Sequence, residues 1–97
     1  MNYSFVNRPA VKADLISAVS YYKKISPELA QKFLDRVKEA KNHIALSPEG
    51  FQVRYKNVRN KTLEQFPFNI HYLIDNQKQQ IVILAIVHGY KKPEQYK

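Results

Sequence analysis

One stretch limits what this chain can fold into more than any other: Phe66 to Gly89, FPFNIHYLIDNQKQQIVILAIVHG. Phe68, Ile70, Tyr72 and Ile74 alternate with Asn69, His71, Leu73 and Asp75, the period of two expected of a strand with one face buried. The return arm, Ile81 to Val87, is apolar throughout and rich in β-branched residues, which suits a strand covered on both faces inside a sheet. Between the arms, Asp75-Asn76-Gln77-Lys78 supplies turn chemistry without the Asn-Gly or Asp-Gly pair that would fix the turn type. The stretch therefore predicts a β-hairpin and leaves its register open.

That hairpin needs something to cover it, and the N-terminal half supplies two amphipathic helices. Asn2 to Val6 reads as a short first strand, after which Asn7 is a candidate helix cap and Pro9 falls in the first turn. Val11, Leu15, Ala18, Val19 and Tyr22 follow at helical spacing up to about Lys24. Ser26-Pro27 restarts the pattern, with Ser as cap, Pro at the first helical position and Glu28 near the positive end of the helix dipole. Leu29, Phe33, Val37, Ala40 and Ile44 line one face until Ser47-Pro48-Glu49-Gly50 stops the helix. Phe51 to Gln65 reads as one strand, interrupted near Asn57 or Asn60. The expected fold is α+β: an N-terminal strand, an αα-hairpin, then a three-stranded antiparallel sheet, in the order β-α-α-β-β-β.

Ninety-seven residues support one core, so a single domain over 1–97 is expected. With no cysteine in the chain, disulfides, a thiol nucleophile and a zinc–thiolate site are excluded, and neither a metal nor a cofactor is expected. The N-terminus carries no secretory pattern and no run long enough to span a bilayer, so a cytoplasmic protein with no membrane partner is expected. A formal charge of +8 predicts attraction to polyanions: nucleic acid, a ribosome or an acidic protein.

Taken together, AVSYYKKISPELAQKFLDRV, FPFNIHYLID and IVILAIVHGYKKPEQY resemble the RelE/ParE superfamily of small basic toxins from bacterial type II toxin–antitoxin systems, over nearly the whole chain and closer to the ParE-like branch. The resemblance implies a toxin neutralised by a cognate antitoxin, in a toxin–antitoxin hetero-oligomer. It offers two modes of action. RelE-like members cut mRNA on the ribosome, whereas ParE-like members act on DNA gyrase without being recognised nucleases. A third reading is a non-toxic member that only binds its antitoxin.

RNA cleavage needs a base for the 2′-hydroxyl, cations for the charged phosphorane and an acid for the leaving oxygen. The resemblance places a basic residue, usually Arg, where this chain has Asn69, and retains at most Lys61 of the lysines on the preceding strand. That departure favours the gyrase mode. A nuclease set is still conceivable from the pairing. A turn centred near Asn76 to Lys78 makes paired positions sum to about 154, which sets Phe66 opposite His88, Glu64 near Tyr90 and His71 opposite Ile83. Glu64, His88 and Lys91 then converge, with Arg59 joining from the same sheet edge, while the two histidines stay too far apart to share a proton. Against this, His88 before Gly89 can simply bond a carbonyl at a strand end, and Glu64 can be a solvated strand residue. Arg54, Lys56, Lys61, Tyr90, Lys92 and Tyr96 are candidates for target contact, with Tyr96 the nearest match to a stacking tyrosine of RelE-like nucleases. Tyr21, Tyr22 and Tyr72 read as core or groove aromatics.

Overall fold

In a computed structural model, which describes residues 3–89, the chain alternates as the hydrophobic pattern requires. Strand β1 (Ser4–Asn7) leads into helix α1 (Pro9–Ile25) and helix α2 (Pro27–Leu46). A single 3-10 turn (Pro48–Gly50) follows, then β2 (Val53–Tyr55), β3 (Val58–Thr62), β4 (Phe68–Asp75) and β5 (Gln80–His88). Among the described residues, no helix is long and apolar enough to cross a membrane.

Ser26 works at both helix ends it touches. Its backbone N–H donates to Tyr22 O at 2.9 Å, closing α1, and its Oγ accepts from Leu29 N–H at 3.1 Å, opening α2. Pro27 needs no partner for a missing N–H at that first position. The cap of α1 differs from expectation. Arg8 N–H still bonds Ile83 O at 3.0 Å, so the strand ladder outlasts Asn7, which pairs with Ile83, and the cap falls on extended Arg8 with no side-chain bond.

The sheet has five strands in the order β1-β5-β4-β3-β2, with β1 parallel to β5 and every other neighbour antiparallel. It is thus larger than the expected three-stranded unit for two physical reasons. The N-terminal strand joins it beside β5, and the Phe51–Gln65 stretch folds back on itself at Lys56-Asn57, where Lys56 takes a left-handed φ of 52°. Both helices lie on one face. Val11, Ala18 and Tyr22 of α1 and Ala30, Phe33, Val37, Ala40 and Ile44 of α2 are buried against Phe68, Ile70, Tyr72, Ile81, Ile83 and Ile86 of the sheet. Lys41 of α2 reaches β1, its Nζ 4.9 Å from the Phe5 ring centroid, and burial pulls its ammonium below the usual lysine range.

The β4–β5 register corrects the expected one. Asp75 pairs with Gln80, leaving Asn76 to Gln79 as the turn, where Asp75 Oδ1 accepts from Lys78 N–H at 3.1 Å and Gln79 has φ 53°. Tyr72 pairs with Ile83 but His71 pairs with Ala85, so Leu84 is an extra residue, a β-bulge. The run Ile81 to Val87 therefore hides an alternation: Ile81, Ile83 and Ile86 face the helices, and Val82, Ala85 and Val87 the other side. Beyond the bulge Phe68, not Phe66, lies opposite His88.

Tyr72 ties the sheet to the 3-10 turn. Its ring is fully buried and its hydroxyl donates to Pro48 O at 2.6 Å. Burial pushes the phenol up to about 12, outweighing the opposing pull of Arg59. With the folded value above the ordinary 10.0, the stabilisation is complete below about pH 10 and is lost as pH rises toward 12. Tyr72→Phe is expected to cost about 1 kcal/mol near neutrality through the unmet carbonyl. Urea unfolding at stepped pH tests this: the difference between wild type and variant should shrink between about pH 10 and 12, and a constant difference rejects it.

Candidate functional site

The end of the sheet away from the β4–β5 turn gathers an aromatic cluster. Tyr22 of α1 and Phe33 of α2 meet Phe66 and Phe68, with ring centroids 5.0–6.2 Å apart and mostly edge-to-face. His88 is exposed on the rim, its ring edge-on to Phe68 at 5.1 Å. Beside it a groove of about 710 Å³ runs between α1 and β5, lined by Tyr21, Tyr22, Ile25, Phe68, Ile86 and His88 among others. Tyr21 and Ile25 are each 61% exposed along it.

Asp14 closes one side of that groove. Strand β1 stops pairing with β5 at Ile83, and Asp14 Oδ2 accepts from Ile86 N–H at 2.9 Å where the ladder would have continued. It is the only acid in α1 and sits between buried Val11 and Ala18. Asp14 is absent from the sequence candidates, although an acid on the apolar stripe at helical spacing is a signal the sequence carries.

On the other face, Asn69 joins three segments. Its Oδ1 accepts from Thr62 Oγ1 at 2.8 Å and from Asn60 Nδ2 at 3.2 Å, and its Nδ2 donates to Gly89 O. Gly89, with φ 70°, also donates its N–H to Pro67 O at 2.6 Å.

The predicted acid–base residues are placed as follows. Glu64 is exposed in the bend joining β3 to β4, which Leu63 N–H closes on Phe68 O at 2.9 Å. No hydrogen bond joins it to His88 among the described residues. Arg59 pairs with Tyr72, four residues along β4 from the partner of His88, a separation of roughly 14 Å. Its guanidinium donates to Glu49 O at 3.0 Å and Phe51 O at 2.7 Å. His71, 2% exposed, alternates with Ile70 and Tyr72 and so points away from the helices, on the opposite face from His88. The two histidines are separated by the sheet itself. Lys91, Tyr90, Lys92 and Tyr96 lie outside the described residues.

The basic candidates stand at the β2–β3 edge instead. Arg54 is exposed on β2, Lys56 Nζ lies 5.4 Å from the Tyr55 ring centroid, and Lys61 Nζ lies 5.1 Å from that of Phe51. Chemically, the described residues offer a basic edge, an apolar groove and a lone imidazole. Such an arrangement can bind a partner.

A family model described as the ParE toxin of the type II toxin–antitoxin system, parDE, matches residues 6–93. A structure of the chromosomal ParDE toxin–antitoxin system from P. aeruginosa is similar at 25% identity and a TM-score of 0.77, covering 91% of this chain and 97% of that one. The isolated RelE toxin of E. coli superposes with a TM-score of 0.63 at 10% identity, over 96% of this chain and 90% of that one. The RelBE2 toxin–antitoxin complex of Mycobacterium tuberculosis gives 0.57 at 16%, over 91% and 99%. The last two speak for the fold alone. No curated protein sequence matches the chain.

Proposed function

The chain belongs to the ParE toxin family of type II toxin–antitoxin systems, and we propose that it arrests growth in the cytoplasm by binding DNA gyrase, held inactive by a cognate antitoxin in a hetero-oligomer. The observation that carries this reading is at Asn69. Where the resemblance to RelE-like nucleases calls for a cation, this chain has a neutral amide whose donor is spent on Gly89 O. Arg59, three residues further along β4 at Tyr72, turns Nη1 to the backbone carbonyls of Glu49 and Phe51, which supports a structural role for it rather than stabilisation of a phosphorane. Antitoxin capture is supported by the groove beside His88: its apolar lining and exposed Tyr21 and Ile25 suit the apolar face of a partner helix.

Expression in a bacterial cell, with DNA breaks and mRNA cleavage followed separately, tests the mode of action. Induced DNA breaks with intact ribosome-bound mRNA are expected. Ribosomal A-site cuts that disappear in His88→Ala would overturn the gyrase reading in favour of a nuclease using His88 with Glu64, Arg59 and Lys91. Neither breaks, cuts nor growth arrest would leave only an antitoxin-binding protein.

A further inference from the structure

Positive charge is not spread evenly over the chain. Helix α2 sets Lys32, Arg36, Lys38 and Lys41 among Glu28, Asp35 and Glu39, whereas from Gly50 to Leu63 the cations Arg54, Lys56, Arg59 and Lys61 meet no acid in the sequence. That stretch folds into β2 and β3, and β2 is the edge of the sheet, with no strand on its outer side. Arg59 is turned to the backbone carbonyls of Glu49 and Phe51. Exposed Arg54 and Lys56 and half-buried Lys61 are left to set the potential of the edge, and among the described residues none of the three is in an ion pair. Lysines on an edge strand also deter pairing with another chain, but Lys61 lies on β3, inside the sheet, where that purpose needs no charge.

Two features choose among polyanions. Tyr55 and Phe51, the aromatic rings of this edge, are engaged by the edge's own lysines, with Lys56 Nζ 5.4 Å and Lys61 Nζ 5.1 Å from the ring centroids. A single strand is held by stacking its bases on free rings as well as by charge, and these two rings are already occupied. In turn, β3 is paired with β4 from Arg59 to Thr62, so β2 and β3 are not a free two-stranded ribbon of the kind that enters a major groove. What remains is a rigid basic edge that can follow phosphates without reading bases. We propose that this edge, through Arg54, Lys56 and Lys61, binds the phosphate backbone of duplex DNA without sequence preference. Under the gyrase reading above, on which the choice of DNA rests, the toxin grips the DNA held by its target as well as the target itself.

Fluorescence anisotropy of a short mixed-sequence DNA duplex, titrated with the full chain in the absence of gyrase, tests this. A Kd of about 10⁻⁴–10⁻⁶ M at physiological salt is expected, with log K falling by about 0.9 per neutralised phosphate for each decade of salt. Arg54→Gln, Lys56→Gln and Lys61→Gln together should reduce that slope by about 2.7. The double variant Arg54→Gln, Lys56→Gln spares half-buried Lys61, should reduce it by about 1.8, and guards against a misfolded triple variant. Replacing Lys12, Lys32 and Lys38, exposed on the helices, by Gln lowers the net charge equally and should leave the slope unchanged. Slopes that fall equally in the edge and helix variants, no binding at low salt, or tighter binding to an RNA duplex or a single strand of the same sequence each overturn the proposal. Inhibition of gyrase supercoiling is read separately. Inhibition that needs the three cations although the isolated chain binds no DNA overturns the proposal, leaves the gyrase reading standing and assigns the edge to an acidic protein surface. DNA binding that needs the three cations, without inhibition, upholds the phosphate-binding edge and overturns the gyrase reading instead.

Discussion

Phe33→Ala is expected to lower stability by about 3–5 kcal/mol, enough to remove much of the roughly 5–15 kcal/mol that holds a domain of this kind together. The ring is fully buried inside the aromatic cluster: Tyr22 at 5.4 Å, Phe66 at 5.4 Å and Phe68 at 5.0 Å all pack on it. Its removal leaves a cavity bounded by a helix on one side and a strand on the other, neither of which can move in without breaking its own hydrogen-bond ladder. The damage should reach the rim, because Phe68 loses its edge-to-face contact with Phe33 while its ring also packs against His88. Urea unfolding should show a lower midpoint with an unchanged slope. A loss below about 1 kcal/mol would mean that the cluster is not the centre of the core.

Reversing Arg54, Lys56 and Lys61 to Glu together should slow association with an anionic target by about 10- to 1,000-fold, with little effect on folding. The three changes bring the formal charge from +8 to about +2 and turn the β2–β3 edge from basic to acidic. Arg59 is left out deliberately, since its guanidinium holds the loop carbonyls of Glu49 and Phe51. Each reversal, at exposed Arg54 and Lys56 and half-buried Lys61, should cost within about 0.5 kcal/mol of stability, with roughly 0.5–1 kcal/mol more for each lost contact to Tyr55 or Phe51. The informative control reverses Lys12, Lys32 and Lys38, exposed on the helices, to reach the same net charge. Growth inhibition and association rates that fall equally in both triple variants would show that total charge matters and the edge does not. Added salt should weaken the wild type in the same direction.

The helices were legible because their signals are local. Pro9, Ser26-Pro27 and the apolar stripe from Leu29 to Ile44 fix starts, stops and faces within a few residues of themselves. The strand pairing was legible only in part. The hairpin stood out in its alternation, but the register depended on a four-residue turn and on the extra residue Leu84, neither of which composition marks. A register one residue short and without the bulge sets Phe66 in the place of Phe68 and Glu64 beside His88, which the actual pairing does not. Arg59 illustrates a second limit: a cation in a basic stretch reads as available, whereas its bonds go to carbonyls supplied by the 3-10 turn and the residue after it, contacts no spacing rule anticipates. At Asn69 the sequence marks only an absent cation; the side chain's bonds depend on Thr62, Asn60 and Gly89 meeting across three segments.

The bulge at Leu84 bears on how sequences of this shape are to be compared. A one-residue change of length inside a strand normally inverts every side chain beyond it. Here the extra residue sits between Ile83 and Ala85, and striking it out would leave Ile81, Ile83, Ile86 and His88 on the helix side and Val82, Ala85 and Val87 on the other, as they are now. Mid-strand, the chain thus has a place where a residue can be gained or lost without moving the terminal imidazole to the wrong face. Relatives aligned without a gap there would have a different residue matched to His88, and a difference in sequence would be mistaken for a difference in function.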